Sequence, residues 1–115
     1  DVYLTYNNEK RKFAMIFTTV VDRDPEYEFS RDLLETAMRL NNDYPGVKFC
    51  LDQTYGDIDC QAEVYMETIT PESLDMYINL VAALALSHSA TLNELARDEA
   101  VGSRPLTQPE KALKG

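Results

Sequence analysis

Three aspartates near the middle of the chain, Asp52, Asp57 and Asp59, are the residues whose type and spacing could most directly support chemistry. Carboxylate oxygens are the ligands that calcium and magnesium prefer. In the hairpin predicted below, Asp52 faces Asp59 across two strands, with Asp57 at the turn. Like charges opposed in this way are unfavourable, and a bound cation would relieve them. Their spacing matches no calcium-loop motif, so the competing interpretation is that they simply repel one another through water.

The single histidine, His88, could pair with Cys60 as a base and a nucleophile. A catalytic thiol needs an exposed, electropositive setting, however, and the residues around Cys60 are acidic. The helical pattern places His88 on an apolar face, which is typical of a partly buried histidine with one hydrogen bond. The sequence has no glycine-rich phosphate loop, zinc spacing or serine-nucleophile motif. We therefore predict that the protein is not an enzyme and uses no cofactor.

The three aspartates belong to a segment that is typical of a β-hairpin. Apolar and polar residues alternate over 47–51 and again over 58–66, with a glycine-containing turn between the two runs. Period-two alternation interrupted in this way predicts two antiparallel strands with one apolar and one polar face. A two-residue turn at 55–56 would set Phe49 opposite Ala62 and would keep the apolar residues on one face.

The two cysteines lie on the two arms of this hairpin. Cys50 falls on the polar face and Cys60 on the apolar face, so their side chains diverge and a disulfide is geometrically poor. Two free thiols fit a reducing compartment, and we expect a cytoplasmic protein. No signal peptide opens the chain, which begins at Asp1 inside a predicted strand. We therefore expect an excised piece of chain from which a preceding element, a helix or a signal peptide, is missing.

Another hairpin is predicted nearer the N-terminus. Residues prone to β-structure run over 2–6 and 11–21, and a polar turn cluster at 7–10 separates them. A short extended piece near Tyr27–Phe29 follows the break at Asp24-Pro25.

Two helices complete the pattern. Ser30 is a suitable N-cap for the first helix, and the segment 42–46, which contains a proline and a glycine, ends it. Thr70 and Pro71 open the second helix, whose apolar residues recur at three- and four-residue steps to about Asp98.

Two further sets of side chains have structural interpretations. Asn41 and Asn42 are typical of a helix-end cap, or otherwise of a polar anchor between helix and sheet. The methionines fit the filling of gaps in the core better than any role as ligands; they are Met15, Met38, Met66 and Met76.

The order of elements is therefore β-β-(β)-α-β-β-α. Sequential hairpins enforce antiparallel pairing, and only one face of the clearest hairpin is apolar. We predict a single α+β domain over residues 1–98, in which an antiparallel sheet carries both helices on one face. Residues 99–115 lack periodicity and are predicted to form a flexible C-terminal tail.

The charge of the chain excludes several classes of partner. The net charge is −9, and no lysine or arginine lies between Lys48 and Arg97, where eight acidic side chains fall. Such a surface repels the phosphates of nucleic acids and of anionic membranes. No run of about 18 apolar residues is present, so we expect no membrane insertion. A protein remains as the expected partner.

Three segments carry a resemblance to a known family. They are Met38-Arg39-Leu40-Asn41-Asn42 at the end of the first helix, the hairpin at 47–66, and Thr70-Pro71-Glu72-Ser73-Leu74 at the start of the second. With the order of elements, they resemble the bacterial sensory-transduction-regulator (YbjN-like) family, whose fold is akin to type III secretion chaperones. The resemblance covers roughly residues 2–95 and lacks the family's N-terminal helix. It implies a regulatory or interaction module and carries over no catalytic residues.

We accordingly predict a non-catalytic protein-interaction or regulatory domain of a chaperone-like kind. The alternative is an acidic, metal-dependent ligand-binding domain or enzyme built on the three aspartates. Tyr55 at the turn and Tyr65 on the polar face are the predicted contact residues of the hairpin, because tyrosine is favoured at interfaces. Tyr65 also suits a strand position in its own right.

The first strand predicts self-association. It carries no charge between Asp1 and Glu9, and an uncharged edge strand tends to pair with another chain. We expect a homodimer with Tyr3 and Phe13 near the contact. The alternative is a monomer whose edge is hidden by the C-terminal tail.

Overall fold

The structure, a computed structural model, describes residues 1–7 and 12–102. Its elements in chain order are β1 (Tyr3–Asn7), β2 (Phe13–Val21), α1 (Arg31–Asp43), β3 (Lys48–Leu51), β4 (Ile58–Tyr65) and α2 (Pro71–Gly102). The strands form one antiparallel sheet in the order β1-β2-β4-β3. The predicted α+β class and antiparallel pairing are confirmed.

Both helices lie on the same face of this sheet, as predicted. Ala14 and Ile16 on β2 are buried on the helical face, opposite Val64 and Ala62 on β4. Helix α1 packs against β3, and α2 packs across β2 and β4. The core between the layers consists of Ala14, Ile16, Val20, Val21, Leu33, Ala37, Val47, Phe49, Ile58, Cys60, Ala62, Val64, Val81, Leu84 and Leu92. Since the strands alternate, the other face of the sheet is left without a covering layer among the described residues.

The residues predicted to begin and end the helices have the expected local structure. Ser30 Oγ accepts a hydrogen bond from the Leu33 amide at 3.0 Å, which satisfies one of the free donors of the first turn of α1. At the start of α2, Thr70 Oγ1 accepts the Ser73 amide at 3.1 Å and Ser73 Oγ accepts the Thr70 amide at 3.0 Å. Gly46, with φ of +85°, turns the chain from α1 into β3.

The register of the β3–β4 hairpin differs from the predicted one by two residues. Phe49 lies opposite Cys60, not Ala62. The connection is longer than two residues, because the Asp52 amide donates to the Asp57 carbonyl and the Gly56 amide to the Asp52 carbonyl, both at 2.8 Å. A shift of two residues preserves which side chains share a face, so the predicted apolar and polar faces are correct although the pairs are not.

Two other boundaries differ from the prediction. The extended piece expected near Tyr27–Phe29 is reduced to a single bridge residue at Tyr27. Helix α2 continues to Gly102, beyond the expected end near Asp98. The turn expected at 7–10 falls largely outside the described residues, as does the tail after Gly102.

Asn41 ties the end of α1 to the edge of the sheet. Its Nδ2 donates to the Phe49 carbonyl at 3.0 Å, and its Oδ1 accepts the Phe49 amide at 2.6 Å. In an antiparallel pair, alternate residues direct their backbone groups away from the neighbouring strand. Phe49 is such a residue on β3, so the Asn41 amide occupies the position that an added strand would take. Of the two interpretations, the polar anchor is the one observed.

We expect Asn41→Ala to lower the free energy of unfolding by about 1–3 kcal/mol, because it leaves two backbone groups of the half-covered edge without partners. Urea denaturation monitored by circular dichroism measures this change. The matched control is Asn42→Ala, since Asn42 is exposed and should change stability by no more than about 0.5 kcal/mol. Equal losses in the two variants would contradict the anchor.

Candidate functional site

The outer face of the sheet gathers three of the four predicted contact residues. Tyr3 lies opposite Phe17, with their ring centroids 5.5 Å apart, and Phe13 lies opposite Tyr65. Tyr3 and Tyr65 are exposed, whereas Phe13 and Phe17 are half-buried by their neighbours on the face. Tyr55, the fourth predicted residue, lies in the β3–β4 loop and is 76% exposed. The structure therefore forms an aromatic strip along β1 and β2 that reaches Tyr65.

Beside this strip, the outer face contains a hollow of about 530 Å³. We call it the outer-face hollow; its lining is Met15, Phe17, Cys50, Leu51, Asp52, Gln53, Thr54, Asp59 and Gln61. One wall, from β2, is apolar, and the opposite wall, from β3 and its loop, is polar and acidic. Asp59 on β4 lies opposite Cys50 on one side and Thr19 on the other.

Asp59 is the least expected residue of the hollow, because it is a carboxylate with only 7% of its surface exposed. Burial raises the pKa of its side chain, a hydrogen bond from Thr19 lowers it, and the negative charges of Asp52 and Asp57 raise it further. The net pKa lies above the usual value. Its Oδ1 atom is buried and accepts no hydrogen bond from the described part of the chain. An unsatisfied buried acceptor is costly, so this atom calls for a functional explanation.

The three aspartates do not converge on one point as a metal site would require. Asp52 Oδ2 accepts the Tyr55 amide at 2.6 Å, and Asp57 Oδ1 accepts the Arg23 amide at 2.6 Å. With the observed register, Cys50 and not Asp52 lies opposite Asp59. Within residues 1–7 and 12–102, no group of three or more histidine, cysteine or acidic side chains could hold a metal ion.

Cys60 and His88 do not form a catalytic couple. His88 Nε2 is 2.8 Å from the Tyr44 hydroxyl, and its ring packs edge-on against Phe49. Burial raises the pKa of the Cys60 thiol to about 12, so it is protonated at neutral pH. Burial together with the charge of Asp59 also raises the pKa of Cys50. Both cysteines are free, as the diverging faces predicted, and neither is activated as a nucleophile.

A second surface was missed by the sequence-based reasoning. An apolar hollow of about 340 Å³ lies between α1 and the free edge of β3. We call it the edge groove; its lining is Leu34, Ala37, Met38, Asn41, Phe49, Cys50, Leu51 and Ile58. Met38 is 69% exposed and Leu51 is 51% exposed. The only sequence feature that could have indicated the edge groove was the set of four methionines.

The predicted core role of the four methionines is wrong. Met66 and Met76 are exposed like Met38, and Met15 is half-buried on the outer face. None belongs to the buried core. Unbranched, polarizable side chains on a surface are typical of adaptable binding sites, and Met38 and Met15 each line one of the two hollows.

The comparisons with known proteins reveal a shared fold. No family model and no curated protein matches the chain. A chain in the crystal structure of the ExsC–ExsE complex is similar, with a TM-score of 0.59 and 13% identity over 80% of this chain and 76% of that one. A chain in the HopA1–SchA chaperone–effector complex is similar with a TM-score of 0.54 and 13% identity, over 81% of this chain and 66% of that one.

These likenesses agree with the chaperone-like fold expected from the sequence, and at 13% identity they show the fold alone. In the described part of the chain, no helix is long and apolar enough to cross a membrane.

We expect Asp59→Asn to stabilise the protein at pH 7. Because burial raises the pKa of Asp59 in the folded chain above its unfolded value of about 3.9, ionisation of this group costs stability as the pH rises above that value. Thermal unfolding should show an advantage of the variant at pH 7 that shrinks as the pH is lowered towards 4. Asp22→Asn, at an exposed acid, serves as the control. A variant less stable than the parent at pH 7 would contradict this account.

Proposed function

We propose that the protein is a non-catalytic, chaperone-like module that binds a segment of a partner protein in the cytoplasm. The observation that carries this proposal is the edge groove, where exposed apolar side chains lie beside an open strand edge. Exposed apolar surface of this kind is typical of protein-binding sites. The architecture shared with a chain of a chaperone–effector complex supports the same kind of role.

The groove suits an extended segment with an apolar anchor. Leu51 lies two residues from Phe49 on β3, so its backbone groups also point to the free edge of the sheet. A partner segment could add its backbone at Leu51 and place an apolar side chain between Met38 and Leu51. Asn41 already satisfies the edge at Phe49, so it would limit such a segment to the end of β3 nearest the loop.

The charge and the site chemistry favour this proposal over the alternative. The excess of acids makes nucleic acid a poor partner. Asp52 and Asp57 are engaged by backbone amides, which leaves little support for the alternative of an acidic, metal-dependent ligand-binding domain or enzyme. Membership of the sensory-transduction-regulator (YbjN-like) family is likewise a proposal, and it rests on the residue segments and the order of elements.

We expect the double variant Met38→Lys/Leu51→Lys to lose the partner, because two charges would be buried in an apolar contact. The measurement is capture of proteins from lysate of the source cells on the immobilised chain, quantified by mass spectrometry. Glu72→Lys, an exposed change at the start of α2, controls for added positive charge. Proteins retained by the parent and by Glu72→Lys should be lost with the double variant. Identical retention by all three would contradict the proposal.

We also propose that the module forms a homodimer. β1 is the outermost strand on the side of the sheet away from β3, and Tyr3 and Leu4 on it are each 53% exposed. An exposed edge strand without charge is suited to pairing with a second copy. The outward side of α2 is a competing contact surface, since Leu86 on it is 81% exposed and the sequence has no charged residue between Asp75 and Glu94.

Light scattering of the full chain should therefore give the mass of a dimer, and Tyr3→Lys should convert it to a monomer by placing a charge in the edge contact. Leu86→Lys should leave the mass unchanged. If the dimer persists in Tyr3→Lys but dissociates in Leu86→Lys, the dimer contact lies on α2 and not on β1. If the parent chain is a monomer at high concentration, the homodimer proposal is contradicted.

A further inference from the structure

The outer-face hollow is lined by Asp52 and Asp59, which form no ion pair within the described part of the chain. The described ion pairs join Lys12 to Glu67, Arg31 and Arg39 to Glu35, and Lys48 to Glu63. None of them includes Asp52, Asp57 or Asp59. Asp59 has only 7% of its surface exposed, and its Oδ1 atom accepts no hydrogen bond from the described residues. The described residues that line the hollow therefore include no cationic donor.

Asp59 lies next to an irregularity of the sheet. The register of β2 against β4 shifts between Thr19 and Val21, so the pairing jumps from Thr19 opposite Asp59 to Val21 opposite Ile58. Bulges of this kind redirect side chains and are frequent next to functional sites. Here the irregularity coincides with the only charged residue among the buried side chains of the described chain.

We propose that the outer-face hollow receives a cationic side chain of the bound partner, best an arginine, that donates to the Asp59 carboxylate. This inference rests on the proposed function, because it names a chemical feature of the same partner. The volume of about 530 Å³ falls within the range of about 300–1,000 Å³ found for ligand sites.

The lining suits a guanidinium better than a compact ion. A guanidinium presents a planar set of donors to a carboxylate, and it stacks on aromatic rings. Phe17 and Met15 supply an apolar wall for its stem and plane, while Gln61 and Gln53 supply amide oxygens as further acceptors. A divalent metal ion would need several converging oxygens, which the described residues do not provide.

A bound arginine would also explain why the chain keeps the buried carboxylate of Asp59, which lowers the stability of the fold. A buried, ionised carboxylate without a cationic partner destabilises the folded chain more than one that is paired and fully hydrogen-bonded. Asp59 would then reduce the stability of the free module and strengthen its complex. Groups that act in this way are typical of binding sites, where function is favoured over stability.

The probe for this inference is L-arginine amide, titrated into the isotopically labelled full chain and followed by the amide resonances of Cys50, Asp59 and Gln61. We expect saturable shifts in the roughly millimolar range, because the probe makes a single charge-assisted contact. Citrulline amide, which has a neutral ureido group in place of the guanidinium, should give none. Asp59→Asn should lower the affinity for arginine amide by roughly tenfold or more. Glu28→Gln, a change at an exposed acid, should leave that affinity unchanged. Asparagine keeps the shape of the side chain, and unchanged remote resonances verify that the variant is folded.

Equal shifts with citrulline amide, or unchanged binding to Asp59→Asn, would overturn the inference. Among the proteins captured through the edge groove, retention on Asp59→Asn should fall by roughly tenfold, and unchanged retention would also overturn it. The two proposals fail separately. If the edge groove binds no partner, the arginine amide titration is unaffected, and if the hollow binds no cation, capture that depends on Met38 and Leu51 persists.

Discussion

The pairing of β2 with β4 is the constraint on which the rest of the structure depends. It joins two hairpins that are distant in sequence, and its centre, Ile16 opposite Ala62, has no exposed surface. Once these strands are paired, α2 packs across both, and α1 packs beside it over β3. The same pairing defines the outer face. On that face Asp59, opposite Thr19 and next to the register shift, lines the outer-face hollow.

The features that support binding are those that cost the isolated chain stability. The edge groove leaves Met38 and Leu51 exposed, and the outer-face hollow buries the carboxyl of Asp59 without a full set of donors. In the rest of the described chain, the buried side-chain nitrogen and oxygen atoms have hydrogen-bond partners, and Asn41 satisfies the edge of β3 at Phe49. In the function proposed above, the partner makes two contacts, an apolar one in the edge groove and one through a cationic side chain in the outer-face hollow. Both lie on β3 and its loop, so one extended segment could reach them together.

Much of the fold could be predicted because it depends on local patterns. The alternation over 47–51 and 58–66 gave the correct faces, and the capping hydroxyls of Ser30 and Thr70 placed both helix starts. The register could not be predicted, because it depends on how Asp52 and Asp57 close the loop through backbone bonds. The predicted opposition of Asp52 to Asp59 was wrong for the same reason, since a shift of two residues placed Cys50 opposite Asp59.

The sequence by itself determined the α+β class, the apolar and polar sides of the strands, the free thiols and the acidic charge. These follow from residue type and period, which act over a few neighbouring positions. Only the tertiary structure decided the strand order, the role of Asn41, and the burial of Asp59. Each of these depends on which distant segments meet. The Asn41 side chain on α1 contacts the edge of β3, and Asp59 on β4 lies between Thr19 on β2 and Cys50 on β3. The physical reason is that burial and hydrogen-bond satisfaction are properties of an environment assembled from several elements, and no single stretch of residues contains it.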